Sequence, residues 1–207
     1  MKNSSRRSFL QNMSMGLGAT AMITALPSFV SACDEAGKSY SGKKLNIALC
    51  GLGHYASILA DGFEGSRYCR LAGIVTGTPA KEEIWKKKYN IPPANVYNYQ
   101  NFDSIVNNKD IDLVYVVLPN SMHKEYVLRS AKAGKHVITE KPMANSASDC
   151  AAMIKACKDA HVQLAVGYRL HYEPYNMEMR RLGQEKVFGQ VRLMETSLGY
   201  RVDNPNE

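Results

Sequence analysis

Two short stretches of this chain hold residues whose types and spacing could do chemistry. In Cys50-Gly51-Leu52-Gly53-His54-Tyr55-Ala56 two glycines stand one residue apart, and Ala56 falls where a third small residue would be needed. Gly51 permits a tight turn, Gly53 lets the backbone approach a pyrophosphate, and Ala56 keeps a following helix close to its strand, which together make a dinucleotide fingerprint. The phosphate charge would rest on the helix N-terminus. Leu52, His54 and Tyr55 complete that turn as candidate cofactor contacts. The second stretch, Glu140-Lys141-Pro142, follows the apolar run His136-Val137-Ile138-Thr139. Ligands of open α/β sheets lie along the carboxyl edge, so an ammonium at that edge stands where a nicotinamide would meet a substrate. Lys141 is therefore the candidate catalytic residue and a cofactor contact. Glu140 is expected to hold the lysine or to reach the nicotinamide ribose.

Two further stretches bear on the same cleft. The carboxylate usual about twenty residues after the fingerprint, which accepts hydrogen bonds from a ribose 2′-hydroxyl, is missing. The second apolar run leads instead into Thr76-Gly77-Thr78-Pro79-Ala80-Lys81, with no acid before Glu82. Hydroxyls and a lysine there favour a 2′-phosphate, so Thr76, Gly77 and Lys81 point to NADP, with NAD the alternative. Lys81 equally suits a helix surface. Leu118-Pro119-Asn120-Ser121 ends another apolar run, with His123 one turn into the next helix. Leu118, Pro119, Asn120 and His123 would line the cofactor cleft, although a helix start alone would use the same residue types and His123 equally suits local packing or capping.

These residues need a sheet to position them. Apolar runs occur at Leu45 to Cys50, Leu71 to Thr76, Leu113 to Leu118, His136 to Thr139 and Leu164 to Val166, separated by helical stretches. Runs apolar at successive positions imply strands buried on both faces, hence a parallel sheet covered by helices. Ser146 to Asp149 reads as a capping box, and Gly134 closes a helix that begins near Ser121. The expected fold class is α/β, a Rossmann doubly wound domain over 44–167. Residues 168–207 then form the incomplete start of a C-terminal open-sheet α/β domain, with a helix at Pro174 to Leu182 and a strand at Gln190 to Ser197. About forty residues are too few to bury a core of their own.

Gly51-Leu52-Gly53, Leu118-Pro119-Asn120-Ser121 with His123, Glu140-Lys141-Pro142 and Gly167-Tyr168-Arg169-Leu170-His171-Tyr172-Glu173-Pro174 together resemble the Gfo/Idh/MocA oxidoreductases, in particular the branch of glucose-fructose oxidoreductase and its exported relatives. The resemblance implies hydride transfer between a sugar or polyol hydroxyl and the nicotinamide, with a tightly bound, recycled cofactor as one option. It places Lys141 against nicotinamide and substrate, Thr76, Gly77 and Lys81 by the 2′-phosphate, and Arg169 beside the nicotinamide. The family's catalytic Asp and His or Tyr lie in a later segment that these residues do not include, so the 207-residue fragment is expected to be inactive by itself. A homo-oligomer is expected at full length. The rival readings are an NAD-dependent glycosidase of the same superfamily, in which Glu-Lys-Pro is usually not intact, and a non-catalytic sugar or redox sensor, which would have lost the lysine.

At 45% hydrophobic and 22% charged residues the chain has the composition of a globular protein with a core, not of a disordered or fibrous one. Its first 33 residues differ: they hold Lys2, Arg6 and Arg7, no acid, and a weakly apolar run from Met13 to Val30. Ser5-Arg6-Arg7-Ser8-Phe9-Leu10 resembles a twin-arginine export signal, and Val30-Ser31-Ala32-Cys33 a lipobox, with a plain signal-peptidase cut near Ala32 as the alternative. A membrane span is disfavoured because Gly16, Gly18, Thr20, Thr24 and Pro27 interrupt the run. The expectation is an exported, periplasmic protein that meets a membrane only through this leader or a lipid on Cys33, followed by a polar linker over 34–43. Without the leader the positive excess is modest and dispersed, so no nucleic-acid partner is expected. Cys50, Cys69, Cys150 and Cys157 show no Cys-x-x-Cys spacing, so no metal site is expected, and Cys150 and Cys157 read as small buried hydrophobes. Changing Arg6 and Arg7 together to Lys should stop export of the full-length protein, as cell fractionation would show; unchanged export would contradict the twin-arginine reading.

Overall fold

The computed structural model describes residues 42–197 and 199. The leader and most of the linker lie outside these residues. From Lys44 the chain runs β1 (Leu45–Cys50), α1 (His54–Glu64), β2 (Cys69–Val75), α2 (Pro79–Tyr89), β3 (Val96–Tyr97), β4 (Leu113–Val116), α3 (Asn120–Lys132), β5 (His136–Thr139), α4 (Ala147–Asp159), β6 (Leu164–Val166) and α5 (Pro174–Gln184). The strands form one parallel sheet in the order β3-β2-β1-β4-β5-β6. That is the Rossmann order, with the chain reversing direction across the sheet between β1 and β4.

Alternate residues of the central strands enter two different cores, which is why their sequences are apolar at every position. Ala48, Cys50, Val114, Val116 and Val137 pack with Phe102, Tyr126, Val127, Met153 and Cys157 under α3 and α4. Ile47, Leu49, Ile74, Leu113 and Tyr115 pack with Ala56 and Ala60 of α1 and Trp85 of α2. Ala56 and Ala60 are wholly buried, so α1 lies close against the strands. Cys157 is buried in the opposite core, whereas Cys150 is only half-buried at the start of α4; Cys50, Cys69, Cys150 and Cys157 are free thiols. Burial holds the Cys50 thiol far above its ordinary pKa, which keeps it unreactive.

The register is what positions the site. Tyr97 pairs with Val75, Val75 with Cys50, Cys50 with Val116, Val116 with Thr139 and Thr139 with Val166, so all six strands end level. After every strand but β3 the next residue then donates its N–H to the strand beside it: Thr76 to Tyr97, Gly51 to Val75, Val117 to Cys50, Glu140 to Val116 and Gly167 to Thr139, at 2.8–3.0 Å.

Helix ends carry the expected signals, with one change. Gly134, at φ +69, follows α3, and Lys135 N–H donates to the Ser130 carbonyl while Gly134 N–H donates to Ala131, a Schellman closure. The Ser146 hydroxyl accepts from Asp149 N–H at 3.1 Å, but the Asp149 carboxylate binds Lys124 Nζ at 2.6 Å and ties α4 to α3. The expected strands shift by one or two residues: β2 starts at Cys69, and β4 stops at Val116 because the chain turns toward α3. The strand expected at Gln190 to Ser197 does not form. A strand exists only within a ladder, and no described strand pairs with these residues, leaving Val191, Leu193 and Met194 exposed.

Candidate cofactor and active site

The level strand ends create a cleft of about 790 Å³ where the connections after β1, β4, β5 and β6 meet, within the size range of small-molecule sites. Gly53, His54 and Tyr55 line it from the glycine turn, Leu118 and Pro119 from the start of α3, Glu140 and Lys141 from the end of β5, and Arg169 from the turn after β6. Gly51, Leu52 and Ala56 are buried behind that wall, and Asn120 opens α3 on the exposed side.

The two glycines do different work. Gly51 sits at φ +98, and a Cβ there would lie 2.5 Å from the Val117 carbonyl oxygen, so both backbone shape and space require glycine. Gly53 has ordinary extended geometry and nothing within 4 Å of where its Cβ would be. It caps α1, whose first turn carries no side-chain cap and no acid. Its first N–H groups, which take no partner among the described residues, and its positive dipole end thus face an open space, an arrangement that suits the charge of a pyrophosphate.

Of the three residues expected at the adenosine end, Lys81 and Gly77 are exposed and Thr76 is buried. The Thr76 hydroxyl accepts from Thr78 N–H at 3.2 Å. Gly77 lies under the Tyr99 ring, which a Cβ would strike at 2.7 Å. Lys81 Nζ donates to the Leu52 carbonyl at 2.9 Å, so it braces the glycine turn from α2 and brings positive charge to it. None of the three lines the cleft that holds Lys141.

Lys141 is exposed, and among the described residues no partner takes its ammonium. Glu140 holds the lysine through its backbone and not through its ammonium. The Glu140 carboxylate, 8% exposed, accepts from the Tyr115 hydroxyl at 2.6 Å through Oε1 and from the backbone N–H of Lys141 at 3.1 Å through Oε2. Tyr115 was not legible as a site residue, since it sits inside the apolar run of β4; the only signal was a hydroxyl on a strand buried on both faces. Burial first, and then the Glu140 carboxylate, push its phenol well above the usual range. Tyr55 is raised for the same reasons, with Arg169 opposing. Both phenols therefore stay protonated at neutral pH, able to donate.

His123 is a floor support. It has no accessible surface, although it abuts the cleft from beneath, and its ring nitrogens lie 2.8 Å from the Leu118 carbonyl and 2.9 Å from the Pro142 carbonyl. It ties the end of β4 to the segment after Lys141, whose peptide bond to Pro142 is cis. The exposed charges left in the cleft, Lys141 and Arg169, are both positive, which suits a phosphate-bearing cofactor.

Residues 45–168 match the family described as an oxidoreductase family with an NAD-binding Rossmann fold, GFO_IDH_MocA. The crystal structure of aldose-aldose oxidoreductase from Caulobacter crescentus, in complex with glycerol, is 45% identical at a TM-score of 0.68, over 69% of this chain and 43% of that one. A 2,7-anhydro-N-acetylneuraminate hydratase of Escherichia coli is 40% identical over 94 residues, 45% of this chain and 25% of that protein. A D-xylose 1-dehydrogenase (NADP(+)) of Haloferax volcanii is 31% identical over 131 residues, 63% of this chain and 39% of that protein. The chain thus spans well under half the length of these relatives.

The two glycines give a paired test. Gly51→Ala should destabilise the fold by about 2 kcal/mol or more, from positive φ and the backbone clash, while Gly53→Ala should leave stability within about 0.5 kcal/mol yet weaken dinucleotide binding about tenfold or more, because its methyl enters the pyrophosphate space. Denaturant midpoints and cofactor titration of the full-length variants measure both; unimpaired binding by Gly53→Ala would contradict the assignment.

Proposed function

The chain belongs to the Gfo/Idh/MocA oxidoreductase family, and from that premise we propose that the full-length protein is an exported, NADP-dependent oxidoreductase acting on a sugar or polyol hydroxyl. The observation that carries the proposal is Lys141, whose ammonium has no partner among the described residues, on a loop held by its backbone in the same cleft as the open glycine turn. Gly51 to Ala56 would hold the pyrophosphate, Leu118, Pro119 and Asn120 the cleft's far side, and Arg169 the nicotinamide end. The bound cofactor supplies the hydride acceptor. Lys141 would donate a hydrogen bond to the substrate oxygen and offset its charge while the hydroxyl proton passes to a carboxylate, imidazole or phenolate base of the full-length protein and the hydride leaves the same carbon for the cofactor, work of the kind that contributes a few kcal/mol to a barrier.

NADP is proposed over NAD because the end of β2 carries no carboxylate and Lys81 stands exposed at the start of α2. Export, lipid attachment at Cys33 and assembly of identical subunits belong to the same proposal, the first two resting on Ser5 to Leu10 and Val30 to Cys33. A second reading, a reaction on a sugar with no net redox change in which the cofactor is reoxidised within each turnover, is favoured by the hydratase relative. The products separate the two: the first reading yields an oxidised sugar, together with reduced cofactor or a reduced second substrate, and the second yields neither.

In a titration of the full-length protein, NADP should bind tighter than NAD by up to a few kcal/mol, and Thr76→Asp should narrow that gap; equal affinities would remove the cofactor proposal. Lys141→Met keeps much of the stem volume and loses the charge and all three donors. It should lower kcat about 10²-fold or more with cofactor affinity little changed. A mutant keeping more than about a third of wild-type kcat would remove Lys141 from the mechanism.

A further inference from the structure

Among the described residues the Lys141 side chain has no partner to aim it, so its direction is set through its backbone. That backbone is held by one bond in the loop itself: Lys141 N–H donates to Glu140 Oε2 at 3.1 Å. The bond can form only while the Glu140 side chain is folded back toward its own chain, and the neighbouring strand keeps it there. The Tyr115 hydroxyl, from the middle of β4, donates to Glu140 Oε1 at 2.6 Å within the core. Gly167, at the end of β6, closes the other side, for any Cβ there would strike both the Glu140 carboxylate and the Tyr115 hydroxyl.

We infer that Tyr115 is a positioning residue for Lys141: through Glu140 it fixes the loop that presents the ammonium, without itself touching substrate or cofactor. Tyr115 is 7% exposed and does not line the cleft, so a direct contact is not its role. Its ring alone would fill the core as Phe does, and an unpaired hydroxyl on a strand buried on both faces would be costly. The short bond to a carboxylate is what the hydroxyl adds. Its phenol, held far above its usual pKa by burial and by Glu140, remains a donor throughout the working pH range. A buried carboxylate deprived of this donor would turn toward other donors or water and release Lys141 N–H.

This inference rests on the reading of Lys141 as the catalytic ammonium, and the test separates the two. Tyr115→Phe removes one oxygen and keeps the ring. In the full-length protein, with kcat counted per site that binds NADP, Tyr115→Phe should lower kcat about tenfold and change the Kd for NADP by less than about twofold. In a Lys141→Met background, Tyr115→Phe should cost nothing further, because the group it aims is gone. Wild-type kcat in Tyr115→Phe, alongside a large loss in Lys141→Met, would overturn the positioning role and leave the functional reading standing. A near-wild-type kcat in Lys141→Met would overturn both. Equal losses from Tyr115→Phe in the two backgrounds would show that Tyr115 acts by another route. Should Tyr115→Phe fail to fold, Glu140→Gln serves, since its single acceptor oxygen cannot satisfy both donors: a similar fall in kcat with NADP affinity retained supports the inference, and unchanged kcat overturns it.

Discussion

The level at which six parallel strands stop governs the rest of this molecule. Because Tyr97, Val75, Cys50, Val116, Thr139 and Val166 are in register, the residues that follow emerge in one row. Each central member is pinned by a backbone bond to the strand beside it. A slip of one residue in any strand would exchange its two faces and carry its edge residue out of the row. Double-sided burial prevents the slip, since the apolar side chains of β1 and β4 fill two separate cores. The same alternation puts Tyr115 on the α1 face, beside the helix that carries Tyr55, and Val114 and Val116 on the other.

Within that row the energetics turn on one buried carboxylate. Glu140 lies in a place where an unpaired charge would be costly, and two donors, a phenol and a backbone amide, keep it satisfied. Neither donor is cationic, so the positive charges of Lys141 and Arg169 are not consumed in neutralising it. They remain in the cleft, opposite a helix N-terminus that adds positive potential of its own. The product is a cleft with a positive face and an apolar floor of Leu118, braced from below by His123 between two carbonyls.

The fold was largely legible because doubly buried strands leave continuous apolar runs, and the spans of β1, β5 and β6 follow directly from theirs. Gly134 and Ser146 likewise announce helix ends through local backbone chemistry. β3 escaped because two residues carry no period. The strand expected at Gln190 to Ser197 shows the converse, for apolar alternation is not a strand without a partner ladder. At the site, Gly51, Gly53 and Lys141 were readable from type and spacing. Tyr115 was not, since its hydroxyl matters only through a carboxylate 25 residues away on another strand. Lys81 fell between two expectations: it is exposed, yet its ammonium is engaged with the Leu52 carbonyl. Thr76 was placed by type alone, and burial limits what it can offer a ligand.

The central claim is that this edge aims the Lys141 ammonium at the reacting end of a bound dinucleotide. A crystal structure of the full-length protein with NADP measures that directly, through the distance from Lys141 Nζ to the nicotinamide ring. The account predicts the ammonium at the open face or edge of the ring, about 4 Å away, with a substrate-sized space beside both. A nicotinamide seated elsewhere, or a Lys141 turned to solvent with its ammonium roughly 8 Å or more from the ring, would contradict it.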